Sequence, residues 1–169
     1  LFAKWNHPPV ITQAGPLDVT IQEDANATWT AADLNATDAD VGDVLTWSVE
    51  TNATNGVATV SGSGSNPTTF TYAPNADFNG SDSFVVQVSD GDLNATITVN
   101  VTVTAVNDAP VITSVATNSV SENQTYAIDV NATDGDGDTL SYTISGGADQ
   151  LKFDLNSSTG VLTFKAAPD

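Results

Sequence analysis

The feature that most limits what this chain can become is a long internal repeat. "HPPVITQ" at residues 7–13 returns as "DAPVITS" at 108–114, and "NATDADVGDVLTWSV" (35–49) returns as "NATDGDGDTLSYTI" (131–144). Glu23 precedes the first block much as Glu122 precedes the second. The period is therefore about a hundred residues, the size of a β-sandwich module. Within each repeat the apolar period is two. Leu45, Trp47 and Val49 alternate with Thr46 and Ser48, and Phe84, Val86 and Val88 with Val85 and Gln87. Ile97, Val99, Val101 and Val103 alternate with Thr98, Asn100 and Thr102. Such runs are half-buried antiparallel strands, and no segment carries a helical stripe.

The expected fold class is all-β: tandem Greek-key β-sandwich modules, the second incomplete. Residues 1–7 read as a leader or linker from a preceding segment. Residues 8–107 read as one complete sandwich, and residues 108–169 as a partial one lacking its last two strands. Seven strands are expected in the first, near 10–21, 28–36, 44–50, 57–61, 68–72, 82–89 and 95–104. If they run alternately, odd-numbered connections share one end. Glu23 in the first connection, Asp77 in the fifth, and the exit linker with Asn107 and Asp108 then lie at the end facing the second module. That module's own loop carries Asp134, Asp136 and Asp138. Asp38, Asp40 and Asp43, with Asp90 in the sixth connection, fall at the opposite end.

Carboxylates this close repel one another, and a hard cation that collects six to eight oxygens is the obvious reason to gather them. The helical Ca²⁺ loop does not fit "DGDGDTLSYTIS", because Thr139 and Ser145 stand where that loop needs Gly and Glu. Other segments must supply the remaining ligands. The balance of three Lys+Arg against 21 Asp+Glu, a formal charge of −18, excludes nucleic acid and anionic membrane as partners. With no cysteine, no disulfide framework and no zinc or thiol chemistry are expected. No apolar run approaches the roughly 20 residues of a membrane span, so direct membrane insertion is not expected.

At these residues the chain resembles the cadherin repeat, and more closely the cadherin-like tandem modules of bacterial surface proteins. The resemblance covers nearly all of residues 8–169. It implies Ca²⁺ between successive modules, with Glu23, Asp77, Asn107, Asp108, Asp134 and Asp136 as ligands. It also assigns Asp90, with Asp38 and Asp40, to an upper junction. Ala105 and Asn79 depart from the acidic residues usual in the animal family, which implies fewer or weaker ions at each junction.

A second pattern overlies the first. "NAT" occurs five times, and Asn26, Asn35, Asn52, Asn79, Asn94, Asn131 and Asn156 each head an Asn-x-Ser/Thr triplet with Asp or Glu two residues upstream. "DLNAT" and "DVNAT" resemble the extended acceptor of bacterial periplasmic N-glycosylation. With Leu34, Val130 and Leu155 turned inward, Asn35, Asn131 and Asn156 are expected to face solvent. The expected glycan sites are Asn26, Asn35, Asn52, Asn94, Asn131 and Asn156; at Asn79 a sugar would compete with the Asp77 loop.

Catalysis has little to work with: one histidine, His7, beside two prolines, no cysteine and no nucleophile motif. The expected function is a Ca²⁺-rigidified structural or adhesive repeat, not an enzyme. Its setting would be the cell surface or an extracellular filament, reached through the periplasm of a Gram-negative bacterium, with neighbouring repeats of the same or an adjacent chain as partners. The second reading is a carbohydrate-binding module for cell-surface glycans, with Trp29 as an outward platform and Trp47 in the core. Because residues 110–169 supply only five strand equivalents, they are expected not to close a sandwich alone. Continuation of the parent chain, or strands donated by a neighbouring subunit, would complete them.

Overall fold

The computed structural model describes residues 5–29 and 33–169. It divides the chain into two compact units, Leu1–Val106 and Asn107–Asp169. Among the described residues there is no α-helix.

The first unit has nine strands: β1 (Val10–Ile11), β2 (Leu17–Gln22), β3 (Ala27–Thr28), β4 (Ala36–Thr37), β5 (Thr46–Thr51), β6 (Gly56–Ser63), β7 (Thr69–Pro74), β8 (Gly80–Ser89) and β9 (Asn94–Thr104). Strands β2, β9, β8 and β5 hydrogen-bond in that order, and β6, β7 and β3 continue the ladder. Only the last two residues of β6 pair with β5, through Trp47↔Gly62 and Thr46↔Ser63, while Gly56–Ser61 pair with β7. The ladder therefore turns a corner at Gly62, and β7 comes to lie across the core from β8. Phe70 and Tyr72 of β7 meet Phe84 of β8, with ring centroids 6.3 and 5.9 Å apart.

The period-two reading of the late strands holds residue for residue. Phe84, Val86, Val88, Ile97, Val99, Val101 and Val103 are all buried. Trp47 is buried as well, its indole N–H satisfied by the Gly64 carbonyl at 3.0 Å. Burying an aliphatic or aromatic side chain stabilises by roughly 1.5–3 kcal/mol, so β8 and β9 carry much of this core.

Two strand boundaries differ from the sequence reading. The expected first strand, 10–21, is two strands with different partners: β1 pairs antiparallel with β4, and β2 pairs parallel with β9. Pro16 lies between them and has no N–H to give a ladder, so the chain changes partners there. The expected strand 28–36 survives as β3 and β4 at its ends; its residues 30–32 lie outside the described residues, as do residues 1–4 of the expected leader. Trp29 is the larger correction. It does not face outward but packs against the core, stacked on Phe70 at 4.2 Å and edge-on to Phe84 at 6.2 Å.

The second unit repeats the front part of this plan with β10 (Val111–Ile112), β11 (Tyr126–Asp129), β12 (Ala132–Thr133), β13 (Phe153–Leu155) and β14 (Val161–Phe164). The pairs Val10↔Thr37 and Ile11↔Ala36 of β1–β4 return as Val111↔Thr133 and Ile112↔Ala132 of β10–β12. Strands β11, β14 and β13 make a three-stranded sheet. Among the described residues of this unit no strand corresponds to β8 or β9. Val111, Ile112 and Val115 are more than 60 % exposed, and a cleft of about 580 Å³ lies between Leu140, Tyr142 and Ile144 on one side and Leu155 and Leu162 on the other.

Candidate metal centre

Immediately after β4 the chain enters "DADVGD", where the hydrophobic alternation stops and acidic residues take the turn. Asp40 N–H donates to Asp38 Oδ1 at 2.7 Å, and Asp43 N–H to the Asp40 carbonyl at 3.3 Å, so the loop curls back on itself. The result brings Asp38, Asp40 and Asp43 together, each half-buried and each offering one carboxylate oxygen within 4.8 Å of the others. Two oxygens on one Ca²⁺ at about 2.4 Å cannot lie more than about 4.8 Å apart, so the spacing suits a shared ion. Asp38 Oδ2 is buried and accepts no hydrogen bond. A buried carboxylate oxygen without a donor is costly, and a cation is the group that would satisfy it. The donor set fits a hard divalent cation.

Asp90, expected beside these three, holds its own loop together and is not in the three-carboxylate group. Its Oδ1 accepts the N–H groups of Leu93 at 2.6 Å and Asp92 at 2.8 Å, and its Oδ2 the Asn6 amide at 3.3 Å. The Leu93 and Asp92 donors hold its carboxyl below the usual range.

The remaining acidic residues divide between the units. In the first, Glu23 is 2 % exposed and its Oε1 accepts the Val106 N–H at 2.5 Å. Asp77 is exposed in the β7–β8 turn, with φ +56°. In the second, Asp108 N–H donates to Asp136 Oδ2 at 2.6 Å. The N–H groups of Asp136 and Asp138 both donate to Asp134 Oδ1, at 3.1 and 3.2 Å. Asp108 Oδ2 lies so close to Gly135 that a Cβ there would sit 2.6 Å from it, so a larger residue would displace the Asp108 carboxylate. The side chain of Asn107 donates to the Asp108 carbonyl at 2.8 Å. Among the described residues the three-carboxylate set close enough for one ion is that of Asp38, Asp40 and Asp43; Asp134, Asp136 and Asp138 are not drawn together as tightly.

The sugar-acceptor asparagines are mostly in the open. Asn26, Asn52, Asn94, Asn131 and Asn156 are exposed. Asn35 is not turned to solvent as expected: it is half-buried, its side-chain oxygen accepts from Asn66, and its N–H donates to Gln13 Oε1 at 2.8 Å.

Sequence reasoning missed one polar cluster altogether. Asp82 in β8 accepts hydrogen bonds from Thr54, Asn55, Tyr72 and Ser83. No local spacing signals it, because Thr54 and Asn55 are nearly thirty positions away along the chain.

Two sheets that turn a corner over one apolar core, repeated in part by a second unit with the same strand register, define an immunoglobulin-like β-sandwich in tandem. The chain belongs to the bacterial Ig domain family, whose sequence profile matches residues 6–104 and again 107–169. No curated protein sequence matches it. Solved structures of similar shape include mouse clustered PcdhgC3 EC1-3, at 21% identity and TM-score 0.46, over 96% of this chain and 57% of that one. Human Protocadherin-24 EC1-2 matches at 18% identity and TM-score 0.46, over 96% and 81%. The endo-fucoidan hydrolase MfFcnA4 from glycoside hydrolase family 107 matches at 19% identity and TM-score 0.45, over 94% and 24%. The chain thus spans a little over half of the mouse fragment and about a quarter of the hydrolase. Among the described residues no helix is long and apolar enough to cross a membrane.

Proposed function

We propose that the chain is a non-catalytic structural or adhesive repeat of a bacterial cell-surface or extracellular filament protein. Ca²⁺ binds its acidic loops and stiffens it, and its exposed asparagines carry N-linked glycans. The observation that carries the metal reading is the loop after β4: three half-buried carboxylates within one ion's reach, one of them with a buried oxygen that nothing satisfies. Without a cation each pair at that spacing repels by about 1 kcal/mol even in water-like surroundings. A bound ion removes that penalty and stabilises the folded loop by mass action. Asp108, Asp134 and Asp136 form a second proposed Ca²⁺ set in the second unit, and Glu23 and Asp77 are proposed ligands in the first. Exposure of five of the six acceptor asparagines supports the glycan reading. Trp29, half-buried and stacked on Phe70, is less suited to be a glycan platform than an outward ring would be.

The test is a Ca²⁺ titration of the chelator-stripped protein, followed by backbone amide spectra and thermal melting. Saturable shifts of the amides of Asp38, Asp40, Asp134 and Asp136, with a rise in melting temperature, are the expected result. Identical spectra and melting with Ca²⁺ and with chelator would overturn the metal reading.

A further inference from the structure

The end of the first unit that carries the acidic loop also carries apolar side chains that the fold leaves outside. Val41 is 98 % exposed, Trp5 82 %, Val44 64 % and Leu93 38 %. Exposed apolar residues scattered singly are ordinary, but these four belong to one surface. Val41 and Val44 lie in and just after the loop of Asp38, Asp40 and Asp43, and Leu93 closes the β8–β9 turn, its N–H donating to Asp90 Oδ1. The segment of Trp5 lies across both loops: Asn6 donates to Asp90 Oδ2 at 3.3 Å, and His7 N–H to Asp40 Oδ2 at 2.7 Å.

The second repeat shows that the fold does not need them. Aligning "NATDADVGDVL" with "NATDGDGDTL" puts Val41 where the second repeat has one residue fewer, and sets Val44 opposite Thr139. The loop is otherwise held in the same way. The bonds from His7 N–H to Asp40 Oδ2 and from Asp40 N–H to Asp38 Oδ1 return as Asp108 N–H to Asp136 Oδ2 and Asp136 N–H to Asp134 Oδ1. An inserted valine that touches no core adds nothing to the fold. Its apolar surface leaves water only against a partner.

We infer that this end of the first unit docks a separate protein whose surface sets aliphatic or aromatic side chains among Lys or Arg. The inference rests on the adhesive reading above and gives it a surface, but it needs no metal in the loop. Charge chooses the partner. Asp38, Asp40 and Asp43 flank the two valines along the chain, and Asp90 and Asp92 stand beside Leu93. Opposite charge across an interface steers the encounter, whereas like charges facing one another oppose it. A second copy of this chain, with three Lys+Arg against 21 Asp+Glu, brings acid where base is needed, and so does any repeat of this composition. Anionic lipid is repelled in the same way. An apolar centre with a charged rim is the anatomy of a protein interface, and the partner that completes it is basic and apolar.

Two synthetic peptides of equal charge serve as probes of the whole ¹⁵N-labelled chain in chelator: one alternates Leu with Lys, the other Ser with Lys. The Leu–Lys peptide is expected to shift the Trp5 indole N–H and the amides of Val41, Val44 and Leu93 saturably. Its Kd should be at least about tenfold below that of the Ser–Lys peptide, as burial of one or two aliphatic side chains requires. Val41→Ser combined with Val44→Thr, the residue of the second repeat, should remove most of that difference at an unchanged melting temperature. Equal affinity for the two peptides, or affinity for the Leu–Lys peptide unchanged in the double variant, overturns the proposal. So do shifts confined to Leu140, Tyr142, Ile144 and Leu155, which would place the peptide in the second unit's cleft. A Trp5 response to zwitterionic vesicles and to neither peptide would overturn it as well. Peptide preference as expected, with melting indifferent to Ca²⁺, would sink the metal reading and leave this surface standing. Ca²⁺-dependent melting without any peptide preference would do the reverse.

Discussion

Replacing Asp82 by Ala removes the acceptor on which one corner of the first sandwich converges. Its Oδ1 accepts the N–H groups of Thr54 at 3.1 Å and Ser83 at 2.8 Å; its Oδ2 accepts the Asn55 N–H and the Tyr72 hydroxyl, both at 2.9 Å. Tyr72 has no exposed surface, and its ring stacks on Phe84. Burial, reinforced by the neighbouring carboxylate, pushes the Tyr72 hydroxyl well above its ordinary range, so it stays a donor. For Asp82, burial raises the pKa, but the donors from Thr54, Asn55, Ser83 and Tyr72 outweigh it and hold the carboxyl below its usual value.

The bonds from Thr54 and Ser83 are exposed, and water can replace them; those from Asn55 and Tyr72 are partly buried. A hydrogen bond to a charged group contributes about 1.5–3 kcal/mol. Taking the lower value for the two partly buried bonds, Asp82→Ala should cost about 3 kcal/mol. In a module of about a hundred residues that lowers the melting temperature by about 15 °C. Because the folded carboxyl titrates below its unfolded value, the stabilisation is fully present above about pH 4 and is lost as pH falls through the folded pKa. All three tryptophans lie in the first unit, so fluorescence-detected melting in chelator follows that unit alone. Tyr72→Phe completes a double-mutant cycle, with an expected coupling of about 1 kcal/mol. A melting loss under about 3 °C for Asp82→Ala, or strict additivity with Tyr72→Phe, would show the reasoning to be wrong.

Gly56→Ala should destabilise the first unit, because a Cβ there would lie 2.5 Å from the Tyr72 ring and 2.6 Å from the Ala73 carbonyl; a urea midpoint equal to the parent's would contradict this close approach. Trp29→Ala should cost about 2–3 kcal/mol through lost core packing, less than a fully buried ring, and should leave glycan-array signals unchanged; lost glycan binding at unchanged stability would restore the platform reading. Peptide mass spectrometry of protein from its native source should find sugars at several of Asn26, Asn52, Asn94, Asn131 and Asn156, with Asn35 less occupied because Asn66 holds its side chain. Unmodified peptides across all of these sites would remove the glycan reading.

The long strands were legible because their side chains decide the matter locally. Along β9 every apolar residue from Ile97 to Val103 is buried and each intervening one faces out or lies at the margin. The repeat was legible too, and the matched registers of β1–β4 and β10–β12 follow from it. Trp29 was not legible. Its side was inferred by counting back from Leu34 as though one strand joined them, whereas β3 ends at Thr28 and β4 begins at Ala36. Counting by twos works only within an unbroken ladder. The loop role of Asp90 was not legible either. A carboxylate can satisfy its own loop's N–H groups as well as a metal, and sequence spacing alone does not tell the two apart.

The run after Asp138 carries this furthest. "TLSYTIS" alternates as cleanly as "VLTWSVE", to which the repeat aligns it, yet residues 139–145 form no strand. In the first unit this position is β5, and its principal partner is β8, through Trp47↔Val88, Ser48↔Gln87 and Val49↔Val86. Residues 107–169 contain nothing equivalent to β8. What remains is one backbone bond from Tyr142 N–H to the Ser157 carbonyl at 2.9 Å, and Ile144 is left 36 % exposed at the edge of the cleft. A strand is stabilised by cross-strand pairs and a shared core, not by its own alternation. The pattern in residues 139–145 therefore specifies which face would be buried, while the partner decides whether a strand exists at all. The same code written twice gives a strand where β8 lies beside it, and no strand among the described residues where no such partner does.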